Sequence, residues 1–259
     1  QQWGNDLIKS WNQHDWVNLP TTVGAKIARL IGAHNEEVIC CDSISVNLFK
    51  VICAAISEVG NDHRRVILST RDNFPTDLYM VQGVESFLDQ QRCELKLVDE
   101  TELVDAIDKN TVAVLATEVN FRTGRKLDLQ QLSQAAHSQG ALIIADLAHS
   151  AGVMPIHLTD WQVDYAVGCT YKYLNAGPGA PAFVYVNQRH HAALKQPLQG
   201  WFGHTNPFAF DPSYQAANGI QKMLVGTPPV LSMQAVNAAL DCFDDVSMEQ
   251  VRAKSMQLS

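Results

Sequence analysis

Short apolar runs alternate along the chain with longer stretches whose apolar residues recur at helical spacing. Residues 3–11 and 18–33 read as helices, the second from Val23, Ile27, Leu30 and Ile31, with Gly32 near its end and Ala33-His34-Asn35 as the turn. Strands are expected at 37–41, 65–70, 93–98, 111–117, 141–146, 165–169 and 182–186, the last as an edge-type strand. Between them, Leu48, Val51, Ile52 and Ala55 set a helical period after the turn Asp42-Ser43-Ile44-Ser45. A helix from about residue 76 to 88 starts at Pro75, which suits a first turn, with Thr76 or Asn73 as its cap. Residues 101–107 read as a short helix, and 127–137 as an amphipathic one closed by Gly140. Residues 196–229 are irregular, and a helix runs from 230 to about 244. Alternating strands and helices of this length predict an α/β fold, a mostly parallel sheet with right-handed crossovers and helices on both faces.

Candidate chemistry gathers in residues 141–180. Four apolar residues lead into Asp146, a carboxylate at the end of a buried strand, and ligand crevices in open α/β sheets lie at strand carboxyl ends. The next strand delivers Lys172 from its own carboxyl end, and Gly177-Pro-Gly-Ala-Pro181 then forces a tight turn. Taken singly, Asp146 reads equally as a cap for the turn after it, and Lys172 as a solvated loop lysine. Taken together they suit pyridoxal phosphate (PLP): the lysine amine bonds the aldehyde, and the acid keeps the pyridine nitrogen protonated. The amine must be neutral to do so, which burial beside a cation favours. Hydroxyls at the 42–47 strand-to-helix turn fit either a phosphate site or a plain helix cap.

The run Asp146-Leu-Ala-His149-Ser-Ala-Gly, followed by Asp164-Tyr-Ala-Val-Gly-Cys-Thr-Tyr171-Lys172-Tyr-Leu-Asn-Ala-Gly-Pro-Gly-Ala-Pro, resembles kynureninase, a PLP enzyme of the aspartate-aminotransferase fold (fold type I). The likeness covers essentially the whole chain and includes Trp3-Gly-Asn-Asp-Leu-Ile-Lys-Ser-Trp11 and Asn73-Phe-Pro-Thr-Asp77. It implies hydrolysis of L-kynurenine to anthranilate and L-alanine, within the kynurenine pathway of tryptophan catabolism that feeds NAD biosynthesis, by a homodimer with its cofactor at the subunit interface. It also assigns roles. Ile44 (through its backbone) and Ser45 hold the cofactor phosphate, and Phe74 stacks on the pyridine. Asp77 supports Asp146, and His149 buttresses that same aspartate. Tyr171 serves as acid/base in the later steps, and Trp201 and Thr227 reach the phosphate from the neighbouring subunit. Trp11 lies on the substrate ring. Trp11, Gly226 and Thr227 resemble the bacterial set that prefers kynurenine over its 3-hydroxy form. From the residues alone, the three N-terminal tryptophans and Phe74 also read as packing aromatics, Asp77 as a helix-dipole partner, and Arg122 as an anion contact or a surface ion pair.

Composition narrows the classes. At 259 residues the chain buries one large core and part of a second domain, and 46% apolar with 18% charged residues is ordinary for a globular protein. A net charge of −8 with no basic cluster argues against nucleic acid and anionic membrane as partners. No apolar run reaches the roughly 18 residues of a membrane span. Cysteines 40, 41, 53, 93, 169 and 242 show no metal spacing and read as thiols of a cytoplasmic protein, so no metal is expected. Domains are expected as an N-terminal helical segment at 1–35, the PLP-binding large domain at 36–229, and at 230–259 the helix leading to a small C-terminal domain. Kynureninases continue well past this point, so the chain reads as the middle of a longer protein. The arginine that grips the substrate carboxylate in the family falls beyond Ser259. A different fold type I enzyme (a cysteine desulfurase or an aminotransferase) and a non-catalytic truncated homologue stay open, although none of the cysteines sits in a loop suited to a desulfurase.

Overall fold

In the computed structural model, which describes residues 1–60, 63–88 and 92–259, the chain runs α1 (Gln2–Asp6), α2 (Ser10–Gln13), α3 (Leu19–Leu30), β1 (Val38–Cys40), α4 (Ile44–Val59), β2 (Val66–Thr70), α5 (Pro75–Leu88), β3 (Glu94–Val98) and β4 (Thr111–Thr117). It continues through α6 (Leu129–Ser138), β5 (Leu142–Asp146), β6 (Tyr165–Gly168), β7 (Phe183–Val186), α7 (Val230–Leu240) and α8 (Met248–Leu258). The strands form one sheet in the order β1-β7-β6-β5-β4-β2-β3. Every pairing is parallel except the two that β7 makes, which are both antiparallel. The 182–186 strand is therefore no edge. Its residues are all buried, and its place as a reversed strand between β1 and β6 follows from its coming back after Lys172 without a crossover helix.

Both faces of the sheet are covered, which is why the strands read as continuous apolar runs. Alternate strand residues such as Leu68, Val114, Ile143 and Ala166 pack with α3, α6 and α7. Their neighbours Ile67, Leu115, Ile144 and Val167 pack with α4 and α5. Each Leu, Ile or Val among them contributes about 1.5–3 kcal/mol when fully buried.

Departures from the pattern have local causes. The 3–11 helix is broken at Leu7, which takes a left-handed φ of 43°, into α1, a 3-10 turn and α2. Ile8 is 78% exposed, so little packing holds a longer helix there. Residues 101–107 form only a 3-10 turn, Glu100–Glu102, closed by Asp99 and Glu102 in a capping box, followed by a hydrogen-bonded turn at 103–106. The expected 230–244 helix ends at Leu240, passes a 3-10 turn at Asp241–Phe243, and restarts as α8 on the Ser247 cap. Among the described residues, no helix is long and apolar enough to cross a membrane.

At the amino end of β6 lies a buried ionic cluster. Asp164 accepts from Ile143 N at 2.8 Å, faces His137 Nε2 at 2.9 Å and His190 Nε2 at 2.7 Å, and pairs with the Arg189 guanidinium. His190 Nδ1 is 2.6 Å from Glu58 Oε1, whose other oxygen accepts from Tyr165 OH at 2.7 Å. Burial alone would raise the Asp164 carboxyl, but the bonds from His137, His190 and Arg189 outweigh it and hold the group far below its ordinary range. Burial likewise opposes charge on His190, yet Asp164 and Glu58 push it up to about 9. His190 therefore adds stability in full below its unfolded value of 6.5 and loses it as pH rises through about 9. Asp164 adds its share above the unfolded carboxyl value of 3.8 and loses it on acidification. We expect the native chain to lose stability between pH 6.5 and 9 and His190→Gln to flatten that slope. The same variant should lose about 3 kcal/mol at neutral pH. Urea unfolding across the pH series reads both, and an unchanged slope in the variant would contradict the assignment.

Candidate functional site

Strand register assembles the site. In the parallel β4–β5 ladder Thr117 stands opposite Asp146, and in the β5–β6 ladder Asp146 stands opposite Val167. Residues opposite one another in register share a face, so the Thr117 hydroxyl and the Asp146 carboxylate meet at the carboxyl edge. Thr117 Oγ1 lies 3.5 Å from Asp146 Oδ2, 3.2 Å from Asp77 Oδ2, and in a short bond to Asn73 Oδ1. Asn73 is oriented in turn by donating to Ser69 Oγ at 3.0 Å, and Ser69 donates to Leu115 O at 2.7 Å.

Asp146 does cap the turn that follows it. Its Oδ1 caps the following turn by accepting from Ala148 N at 2.7 Å, while Oδ2 faces Thr117. Burial raises both Asp146 and Asp77, and for Asp77 the nearby Asp146 charge adds to it. Asp77 Oδ1 is buried with no hydrogen-bond partner. Two buried carboxyls beside one hydroxyl favour sharing a proton over ionising together.

The turn after Asp146 carries His149 towards Lys172. Gly152, at φ 95°, lets the turn lie against Tyr173, where a Cβ would come within 2.6 Å of the Tyr173 carbonyl oxygen. His149 Nε2 is 2.7 Å from Lys172 Nζ, and His149 Nδ1 is buried without a partner. Burial and then the Lys172 charge lower the His149 pKa, so the ring stays neutral and its Nε2 accepts from Lys172 Nζ. His149 thus partners Lys172, whereas buttressing of Asp146 was expected; Asp146 is instead held by Ala148 and Thr117.

Phe74 closes one wall. Its N–H donates to Asn73 Oδ1 at 2.7 Å, its ring lies edge-on to Phe121 (5.2 Å) and His149 (6.4 Å), and Lys172 Nζ is 5.9 Å from the ring centroid. The opposite end is the start of α4, where Ser43 Oγ accepts from Val46 N at 3.3 Å. The first N–H groups of a helix lack intrahelical acceptors and face an anion site. One cavity of about 240 Å³ is lined by Ser43, Ile44, Ser45, Phe74, Asp146, His149, Tyr171 and Lys172. Tyr171 is 45% exposed at its mouth; burial first, then Cys169 and Asp146, raise its hydroxyl pKa.

Four expected residues lie elsewhere. Trp201 is 39% exposed, donates its indole N–H to Pro207 O, and packs on Phe202, Phe208 and Phe210. Thr227 and Trp11 meet in a separate groove of about 550 Å³ with Trp3, Leu7, Ile8 and Leu231. Trp11 also packs on Trp16 and Phe202, and Gly226 is exposed. The larger groove is apolar; the smaller cavity holds the convergent polar groups and is the candidate chemical site. Arg122 lies over the Phe121 ring, its Cζ 5.1 Å from the centroid. Sequence reasoning missed Thr117 and Ser69, though both are hydroxyls near the ends of apolar strands.

Comparison with known proteins places these features in context. Residues 15–259 match the family model described as Aminotransferase class-V. Kynureninases from Burkholderia mallei (strain SAVP1) and Pseudomonas fluorescens are each 47% identical to the chain over all of its length, which corresponds to 62% and 63% of theirs. The chain therefore spans under two thirds of the length of the curated relatives it matches. In structure it resembles C-DES with glycine covalently linked to its PLP cofactor, at TM-score 0.83 and 16% identity over 97% of this chain and 67% of that one. The cysteine desulfurase CsdA from Escherichia coli gives TM-score 0.76 and 18% identity over 93% of this chain and 60% of its own. At such identities these two share the fold.

The crowding of Asp77 against Asp146 gives a direct expectation. Because burial raises both carboxyls, the pair costs stability as pH rises. Asp77→Asn should stabilise the PLP-free chain at pH 8 by on the order of 1 kcal/mol, with the gain vanishing in acid. Thermal melts at both pH values test this, and a loss of stability at pH 8 would refute the crowding.

Proposed function

The chain belongs to the aminotransferase class-V family, and on that premise we propose that it is the PLP-binding part of a kynureninase, hydrolysing L-kynurenine to anthranilate and L-alanine. The observation that carries the reading is one cavity in which the Lys172 amine, the buried Asp146 carboxylate, the Phe74 ring and the start of α4 converge. The residues fit the cofactor chemically. Asp77 Oδ1 and His149 Nδ1 are buried polar atoms without partners beside the cavity, as expected where a further polar group belongs. Asp146 would hold the pyridine nitrogen, Phe74 the ring face, and Ile44 N–H with Ser45 the phosphate.

PLP, when bound, supplies an electron sink for charge at the substrate Cα and Cβ. The chain's residues do the rest. Neutral His149 takes the hydrogen bond of Lys172 Nζ and so orients the lysine side chain in the cavity. Lys172 Nζ would be the base for the substrate Cα proton. Asp146, capped by Ala148 N and flanked by Thr117, would offer its carboxyl to the ring nitrogen of the cofactor. Tyr171, its hydroxyl held protonated by its raised pKa, is the acid that delivers a proton at the later steps.

Residues 36–229 form the cofactor-binding domain in this reading, flanked by helical segments 1–35 and 230–259. Trp201 and Thr227, which lie outside the Lys172 cavity of their own chain, complete the cofactor site of a second copy in a homodimer. Trp11, Gly226 and Thr227 favour kynurenine over the 3-hydroxy compound. The cysteines are free thiols among the described residues, which suits the reducing cytoplasm. The thiol lining the cavity, Cys169, is raised chiefly by burial, which disfavours the thiolate that a desulfurase nucleophile needs.

Purified chain supplied with PLP should develop a visible absorbance band that borohydride bleaches and Lys172→Ala abolishes. The full gene product should release fluorescent anthranilate from kynurenine. Absence of the band would sink the PLP reading, and alanine formed from cysteine without anthranilate would replace the substrate. Tyr171→Phe should retain the band while turnover falls about 100-fold.

A further inference from the structure

Lys50 lies in the apolar run Leu48-Phe49-Lys50-Val51-Ile52 of α4 and is fully buried. A buried ammonium is stable only with its donors satisfied. Lys50 Nζ donates to Met223 O at 2.6 Å and to Asp42 Oδ2 at 2.8 Å, with Cys41 Sγ at 3.6 Å. Cys41 and Asp42 carry β1 into the turn that ends in Ser43-Ile44-Ser45. Asp42 sits at a left-handed φ of 51°, a conformation seldom taken without a compensating bond. Asn47, on the same helix, reinforces the turn by donating to Cys41 O at 2.9 Å. Met223 closes the 3-10 segment Gly219–Met223, and the backbone runs from it through Leu224 and Val225 to Gly226 and Thr227. One ammonium therefore joins the turn at the start of α4 to the strand of backbone that carries Thr227. A packed helix needs no cation there, since an apolar residue of similar volume commonly serves as well as a buried ion pair.

We propose that Lys50 is a positioning residue for phosphate capture: it holds residues 42–45 in the shape that receives the cofactor's phosphate and fixes that turn to the 224–227 backbone. The inference rests on the reading that the Ser43-Ile44-Ser45 turn binds the phosphate of PLP. It differs from a general structural role in a measurable way. Loss of the clamp weakens phosphate-bearing ligands and spares those that reach only Lys172 and Asp146.

The test titrates the chain with PLP and with pyridoxal, the same aldehyde without the phosphate, and follows the absorbance band formed at Lys172. In Lys50→Met, PLP affinity should fall about tenfold or more, while pyridoxal affinity stays within about twofold of native. Asp42→Asn, at a half-buried side chain, weakens the same clamp without emptying the core and should show the same selective loss. It carries the test where Lys50→Met does not fold. Lys50→Arg, which keeps the charge, should retain more PLP affinity than Lys50→Met. Equal losses for both aldehydes, or no loss of PLP affinity, overturn the role of Lys50. Native chain that binds PLP no better than pyridoxal instead overturns the phosphate site itself.

Discussion

The alignment of three neighbouring strands governs everything chemical in this chain. Thr117, Asp146 and Val167 stand level across β4, β5 and β6. A slip of one residue would turn every side chain of a strand to the other face. Asp146 would then leave the Thr117 hydroxyl, and the apolar residues sorted between the two helical layers would change sides. The same apolar sorting that stabilises the sheet therefore fixes where the acid stands. Packing and chemistry are set by one register.

The two ends of the sheet carry opposite electrostatic arrangements. At the amino end, Asp164 is surrounded by His137, His190 and Arg189, and its charge is fully matched. At the carboxyl end, Asp77 and Asp146 crowd together, and the nearest cation, Lys172, is engaged with His149. A satisfied cluster stabilises; an under-satisfied one is poised for a ligand. The region of the chain least content in isolation is the region that has something to bind.

Much of this was legible from residue order. The apolar runs give the strands, and Asp146 and Lys172 stand out as polar residues at the ends of such runs. What was not legible depends on contacts distant in sequence. The edge reading of β7 failed because nothing in Phe183-Val-Tyr-Val186 says that β1, far earlier in the chain, pairs with its outer side. Thr117 joined the site only through register with β5. His149 turned to Lys172 because Gly152 sets the turn against Tyr173, a tertiary contact. The 3–11 segment has helical spacing but too little core beneath it. Trp201 and Thr227 are the residues whose placement a single chain leaves away from Lys172, and their roles were assigned by resemblance rather than by spacing.

The reversed strand also bears on how the chain acquires its shape. Val38 pairs with Tyr185 and Cys40 with Phe183, so the earliest strand docks only onto one emerging much later from the ribosome. Closing so long a loop is slow, since chain entropy must be lost before the contact is gained. Until β7 is synthesised, β1 has no neighbour in the ladder, and α3 and the turn at the start of α4 hang on an unpaired edge. The central strands β2 to β6 can assemble first by local crossovers, with the turn at the start of α4 completed last. During translation, the nascent chain would hold Asp146 and Lys172 before the turn at residues 42–45 had been fixed beside them.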